Sequence, residues 1–407
     1  MRKLLGRIVF WGSVLIMGLS PTQWAIRLDT VNDRLPKAFL SATDVLIPLV
    51  FGAYVLLCIL KRRKGPLPLL PSPWWAFFFV AGLSVLRAVD KVLAVGELFQ
   101  YGLYLLCLPL LVAHCLQQSS WRRFLALLLP AMVVGIAAWG CMEYLILTRN
   151  PWEVKASFGN RNVLSGFLCL GFPLVLGAGL AEGHWKRLWL VLSPIVLLPV
   201  LSAGALISAL AGGAFVAGRG WGKRGVFFLL LGGALFLCAG RWLLPERGWQ
   251  TWRESLSPRV TGAPSQRYVE WQAAFNSLEV TPYWGVGVGN YQKNIGRFYS
   301  MRAEEKRKME EEDIYNLYLV QLSSTGLLGF GALVLFFAWV GRELWELKNL
   351  PSEESFPWGH AFFGIWVAFC LCNGFSALFV RGVFPLFGFL CGAALWGAGQ
   401  RKGEEPS

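Results

Sequence analysis

The sequence predicts an all-α polytopic membrane protein with about twelve transmembrane helices and one large extracytoplasmic loop that itself contains helices. Three observations predict this. Of the 407 residues, 15% are charged and 55% hydrophobic, whereas soluble domains carry about 25% charged residues. Apolar runs of roughly 18 residues or more recur along the chain, the length a helix needs to cross a bilayer. The one long polar stretch, Arg241 to Asp313, holds 11 of the 38 Lys+Arg and 10 of the 24 Asp+Glu. A closed β-barrel would show short alternating segments instead, and none is present.

Taken in order, spans are expected near 5–21, 43–60, 73–89, 95–115, 124–147, 162–181, 186–202, 203–218, 225–244, 314–340, 359–379 and 383–399. The chain then divides into spans over 1–244, a loop domain over 245–313, further spans over 314–399 and a cytoplasmic tail, 400–407. The first 20 residues carry Arg2, Lys3 and Arg7 before an apolar run. More spans follow without a small-residue cleavage site, so this run is a first span rather than a signal peptide. An even number of spans puts both termini on one side. With the termini in the cytoplasm, the inside short loops and ends hold 18 Lys+Arg and the short outside loops hold 9. That bias fixes the orientation and puts the long loop outside the cytoplasm. The net charge of +14 is therefore topological. Its dispersal among short loops argues against a nucleic-acid partner.

Within the loop, Tyr268, Trp271, Phe275 and Leu278 recur at helical spacing and predict an amphipathic helix over 265–279. It should lie on the membrane domain with Trp271 and Phe275 facing it. Thr281-Pro282 ends it, and Gly285, Gly287 and Gly289 predict a turn running into Asn290. That turn is either a plain connection between helices or a set of backbone amides able to cradle a phosphate. Glu304/Lys308, Lys306/Glu310 and Arg307/Glu311 are i,i+4 pairs, so 302–312 is expected as a solvated helix.

Several residues invite a chemical reading. Asn160 stands just before the span at 162 and is a natural N-cap; alternatively Asn160, Arg161 and Asn162 face a polar cavity at the outer surface. Ionisable groups in spans are functional suspects. Here they are Glu97 and Glu143, with Asp44 and Arg87 near span ends and read as structural. The nine Cys include no Cys-x-x-Cys pair, and His114, His184 and His360 all fall at cytoplasmic ends, so neither a metal site nor a disulfide framework is predicted.

The order of three motifs carries a resemblance. Phe158-Gly159-Asn160-x-Asn162 opens a middle span. The loop then carries Arg267-x-x-x-Trp271-x-x-Ala274 and Thr281-Pro282-Tyr283-Trp284-Gly285-Val286-Gly287-x-Gly289-Asn290. Asn316-Leu317-Tyr318-Leu319 and Gly326-Leu327-Leu328-Gly329 open the next span. Over roughly 155–340 this resembles the O-antigen ligase and O-antigen polymerase superfamily of bacterial inner-membrane proteins. The resemblance implies transfer of a glycan from an undecaprenyl-diphosphate carrier to a lipid or glycan acceptor outside the cytoplasm, without metal or cofactor. It implies that Arg267 holds the diphosphate and that Tyr315 is its catalytic companion. Asn316, Asn160, Arg161, Asn162 and Asn290 would contact substrate. The family has His where Tyr315 stands, Ser-Arg-Gly where Ser202-Ala203-Gly204 stands, and Glu where Ser324 stands. The alternatives are a non-catalytic member that binds a lipid-linked glycan or a partner enzyme, and a lipid-glycan transporter.

Overall fold

A computed structural model describes residues 1–22, 25–27, 39–60, 70–149, 153–181, 185–200, 202–243, 259–260, 263–264, 266–299, 316–347 and 359–404. The fold is predominantly helical. Helix α1 (Arg2–Leu19) is followed by a short antiparallel pair, β1 (Ala25–Arg27) and β2 (Phe39–Ser41). Then come α2 (Ala42–Leu60), α3 (Ser72–Ser84), α4 (Lys91–Gly102) and α5 (Leu108–Leu116), the last two joined by a π-helical stretch, Leu103–Cys107. Helix α6 (Ser119–Met142) also runs on into a π-helical stretch, Glu143–Thr148. The middle of the chain forms α7 (Arg161–Leu180), α8 (Lys186–Leu197) and α9 (Ala203–Leu243). A second small strand pair, β3 (Arg259–Val260) with β4 (Ala263–Pro264), precedes α10 (Gln266–Val280) and the short α11 (Tyr291–Ile295). The chain closes with α12 (Leu317–Glu346), α13 (His360–Cys372) and α14 (Phe384–Glu404).

Among the described residues, six helical segments are long and apolar enough to cross a membrane: Ala42–Leu60, Lys91–Leu116, Ser119–Thr148, Arg161–Leu180, Ala203–Phe227 and Leu317–Glu346. Helices occupy the other expected spans as well, but they are shorter or more charged. The boundaries differ from expectation at several places, each with a local cause. The segment expected over 186–202 stops at Leu197, just before Pro199, which has no amide hydrogen to continue the helix. The spans expected at 203–218 and 225–244 follow without a loop, separated only by a break at Gly222 (φ 63°, ψ −155°). The span expected over 359–379 ends at Cys372. There Asn373 Nδ2 donates to Phe369 O at 2.9 Å and Asn373 Oδ1 accepts from Leu378 N at 2.9 Å. That side chain satisfies backbone groups a continuing helix would have paired, and 373–383 runs on as irregular chain.

Packing follows the apolarity. Helix α7 is the most enclosed, buried from Val163 to Gly179 against α6, α8, α9 and α13. Helices α3, α12, α13 and α14 meet in an aromatic core. Phe369 stacks on Phe387 with centroids 4.1 Å apart, Phe379 stacks on Phe384 at 4.4 Å, and Phe336 lies over Trp74 at 4.9 Å. Offset and edge-on aromatic pairs of this kind add roughly 1 kcal/mol each beyond their buried area.

The amphipathic helix forms as expected, but its orientation is a correction. Its buried residues are Glu270, Ala273, Ala274 and Ser277; Ala274 and Ser277 meet α12, and Ala273 packs with Tyr291, Ile295 and Tyr299. Trp271 and Phe275 are 38% and 55% exposed and do not face the protein. Small residues are inward because two backbones meet closely there. Ser277 Oγ donates to Ser323 Oγ at 3.0 Å, and Ala274 joins Leu319 and Leu322 in one cluster. The charged run 302–312, His184 and Tyr315 lie outside the described residues. For Arg267 the backbone alone is described, in the first turn of α10.

Candidate functional site

The start of α7 lines a cavity. Its walls are Glu143, Thr148, Glu153, Lys155, Gly159, Asn160, Arg161 and Asn162, and its volume is about 540 Å³. Two elements build it. The π-helical end of α6 swings Glu143 and Thr148 inward. Such stretches insert one extra residue per turn and recur at functional sites. The chain then reverses through Arg149 and Ala156, both at positive φ (50° and 49°). Glu143 pins this reversal: its Oε2 accepts from Lys155 N at 3.0 Å and from Ala156 N at 2.6 Å. Ser157 Oγ donates to Pro21 O at 2.7 Å, tying the loop to the end of α1.

Asn160 is the N-cap of α7, its Oδ1 accepting from Val163 N at 2.9 Å. The cap leaves its Nδ2 for the cavity, so the two readings of Asn160 coexist. Arg161 and Asn162 follow in the first turn and also line the wall. The result is a mouth with two cations, Lys155 and Arg161, two carboxylates, Glu143 and Glu153, two amides and a hydroxyl, over the positive end of a 20-residue helix dipole.

Asn316 and Asn290 do not line this cavity. Asn316 caps α12: its Oδ1 accepts from Leu319 N at 3.2 Å and its Nδ2 donates to Gly374 O at 3.1 Å. Asn290 is fully buried and links the loop to the residues before α4. Its Oδ1 accepts from Asp90 N at 2.7 Å, and its Nδ2 donates to Asp90 O at 2.9 Å and Val288 O at 3.1 Å. Both donors are spent on the fold, so Asn290 serves as a structural clasp. Beside it Lys293 pairs with Asp90.

The glycine turn is likewise committed. Val286 N donates to Ser323 O and Gly287 N to Ser324 O, both at 2.9 Å, and Leu327 N donates to Pro282 O at 2.8 Å. The amides that could have cradled a phosphate instead pair with the carbonyls freed where α12 breaks at Gly326 (φ 68°, ψ −170°). Gly285 and Gly326 have positive φ, and a Cβ on either would strike backbone of the facing segment. The turn and the break fit into each other because both lack side chains.

A second polar cluster joins Asp44, read from the sequence as a structural span-end charge, to Arg381. Asp44 and Ser41 form a reciprocal cap at the start of α2: Ser41 N donates to Asp44 Oδ2 at 2.9 Å and Asp44 N to Ser41 Oγ at 3.2 Å. The same carboxylate accepts from Tyr104 Oη at 2.5 Å and Arg381 Nε at 2.9 Å. Arg381 and Tyr101 both lie near Glu97. Tyr101 Oη in turn accepts from Gln321 Nε2 at 2.6 Å. An ionisable residue inside a span was the available signal for Asp44 and Glu97. Nothing local points to Arg381 as their partner.

No family model matches the chain, and no curated protein matches it.

Proposed function

We propose that this chain transfers a glycan from an undecaprenyl-diphosphate carrier to a lipid or glycan acceptor, in the manner of O-antigen ligases and polysaccharide polymerases. In this reading about twelve helices cross a bacterial inner membrane, both termini are cytoplasmic, and the loop and the cavity face outward. The observation that carries the proposal is the cavity at the start of α7. It gathers Asn160 and Asn162, which belong to the first motif in the resemblance, and Arg161 between them, with Lys155 and two carboxylates. Arg161 and Lys155 offer charge to an anionic group, and Asn162 and Thr148 offer hydrogen bonds to sugar hydroxyls. A lipid diphosphate is a good leaving group, so positioning and charge stabilisation can supply most of the rate. Arg267 would hold the diphosphate bidentately, Tyr315 would stand beside it, and Asn316 would orient the acceptor. The reading uses no metal or cofactor.

The test is turnover of a purified lipid-diphosphate glycan by the reconstituted protein, comparing wild type with Arg161→Ala, Arg267→Ala and Tyr315→Phe. Loss of turnover in the Arg variants with normal folding supports the transferase. A second reading, a non-catalytic member that binds lipid-linked glycan or a partner enzyme, is favoured by Tyr315 and Ala203 standing where the family has His and Arg. Under it the wild type binds the donor and the Arg variants weaken binding, but no glycan is transferred.

A further inference from the structure

Helix α10 presents three different surfaces around its axis, and each has a distinct neighbour. At 100° per residue, the buried residues Ala273, Ser277, Glu270 and Ala274 share one sector, which meets α12 and the α11 segment up to Tyr299. Trp271 and Phe275 share a second sector and are exposed. Gln272, about 100° round from Trp271, is exposed on a third, polar sector together with Glu279. Leu278 lies between the first two sectors. It packs against the cluster of Ala274, Leu319 and Leu322, as does Phe330.

Phe330 shows which way the second sector points. Helix α12 breaks at Gly326, just after the polar run Ser323-Ser324-Thr325, and the part beyond it carries no charged residue before Arg342. Leu327, Leu328, Val334 and Leu335 are exposed on this part, as expected for a helix facing lipid. The break therefore separates the polar start of α12 from its apolar, outward-facing part. Leu278 on α10 and Phe330, just beyond the break, pack against the same cluster, so the side of α10 next to Trp271 and Phe275 adjoins the start of that apolar part. Tyr283, which is 61% exposed, stands at the same level, because Leu328 N donates to Tyr283 O at 3.4 Å and Leu327 N to Pro282 O at 2.8 Å. The apolar edge of α10 is thus continuous with the lipid-facing surface of α12.

We propose that α10 is an interfacial helix, with its Trp271–Phe275 edge seated among the acyl chains of the adjoining leaflet, its Ala273–Ser277 face on the protein and its Gln272–Glu279 face in water. Aromatic residues favour this zone because they bring an apolar body to the level of the headgroups. Burial and the continuity of exposed apolar residues from α10 through Tyr283 to Leu328 carry it. It does not depend on the glycan reading.

The experiment uses the full chain in nanodiscs of phosphatidylethanolamine and phosphatidylglycerol. An environment-sensitive fluorescent amino acid is incorporated at position 275 and, in separate proteins, at 271 and 272; each protein is checked for wild-type melting. Lipids carrying a nitroxide high on the acyl chain are then added to the discs. Quenching several-fold stronger at 271 and 275 than at 272, with blue-shifted emission, is the expected result. Equal quenching at all three positions would overturn the proposal. So would unquenched emission at 271 and 275: a water-like spectrum there means that the edge is solvated, and a blue-shifted one means that protein, a partner or a second copy, covers it. Position 271 keeps the test decisive if the label at 275 disturbs folding.

Discussion

Arg381 donates from Nε to Asp44 Oδ2 at 2.9 Å, across 337 positions of the chain. Asp44 caps the first turn of α2, and Arg381 sits in the irregular chain between α13 and α14. The pair therefore locks that irregular stretch against the first half of the fold. Asp44 is 2% exposed, and Tyr104 and Ser41 supply its other hydrogen bonds. Removing the cation alone strands a buried carboxylate, which costs about 3–5 kcal/mol. Arg381→Ala should lower the melting temperature in detergent sharply, Asp44→Asn less so, and the double variant should recover part of the loss of Arg381→Ala. A strictly additive double-mutant cycle would show that the two do not act as a pair.

The junction of the glycine turn with α12 makes a second prediction, with an internal control. Gly326 and Gly222 have nearly the same backbone, φ 68° and 63°. A Cβ on Gly326 would collide with the Tyr283 carbonyl, whereas nothing lies within 4 Å of one on Gly222. Gly222→Ala should cost only the strain of a backbone region that glycine alone readily adopts, roughly 1–3 kcal/mol. Gly326→Ala should cost more and should expose 266–299 to protease, because the turn can no longer seat on Ser323 and Ser324. Similar melting and cleavage for the two variants would contradict the fit described between turn and break.

The clasp beside α4 is sensitive to acid. Lys293 hydrogen-bonds the Asp90 carboxylate, which also caps α4 through Leu93 N and Val92 N, and these partners hold its pKa below the ordinary 3.8. A carboxyl depressed in the folded state contributes stability above its unfolded value, and that contribution is lost as pH falls from about 4 through the lower folded value. Melting followed from pH 6 down to pH 2 should show a smaller acid-side decline in Lys293→Ala than in wild type. Because the pair is largely solvated, added salt should weaken it as well.

At the cavity, capping and recognition can be separated. Asn160→Ala removes the α7 cap and should cost about 1 kcal/mol of stability; Asn160→Asp should restore it. Asn162→Ala should leave stability within about 0.5 kcal/mol while weakening binding of a lipid-linked glycan. Arg161→Lys keeps the charge but loses the planar fork, and it should fall between wild type and Arg161→Ala in binding assays. Equal donor binding by all four proteins would remove the cavity from the substrate site.

What the sequence determined by itself is what local physics determines. Runs of apolar residues became helices at nearly the expected positions, because a chain low in charge satisfies its backbone most cheaply as helix. Asn160 and Asn316 are caps, as their positions before apolar runs imply. Gly285, Gly287 and Gly289 do turn the chain, as their spacing implies. Tertiary structure alone decided which distant groups those local features meet. The turn amides had two chemically equal fates, a phosphate or a carbonyl, and only the break at Gly326 shows the carbonyls of Ser323 and Ser324 to be the partners. Asp44 and Arg381 are unremarkable span-end charges until the fold closes them on each other. The rotation of α10 is the clearest case. Periodicity shows that Trp271 and Phe275 lie on one apolar edge, but lipid is as apolar as a protein interior. The same pattern therefore serves either contact, and the small residues Ala273, Ala274 and Ser277 face the protein because only they let α10 approach α12 closely enough for Ser277 to reach Ser323.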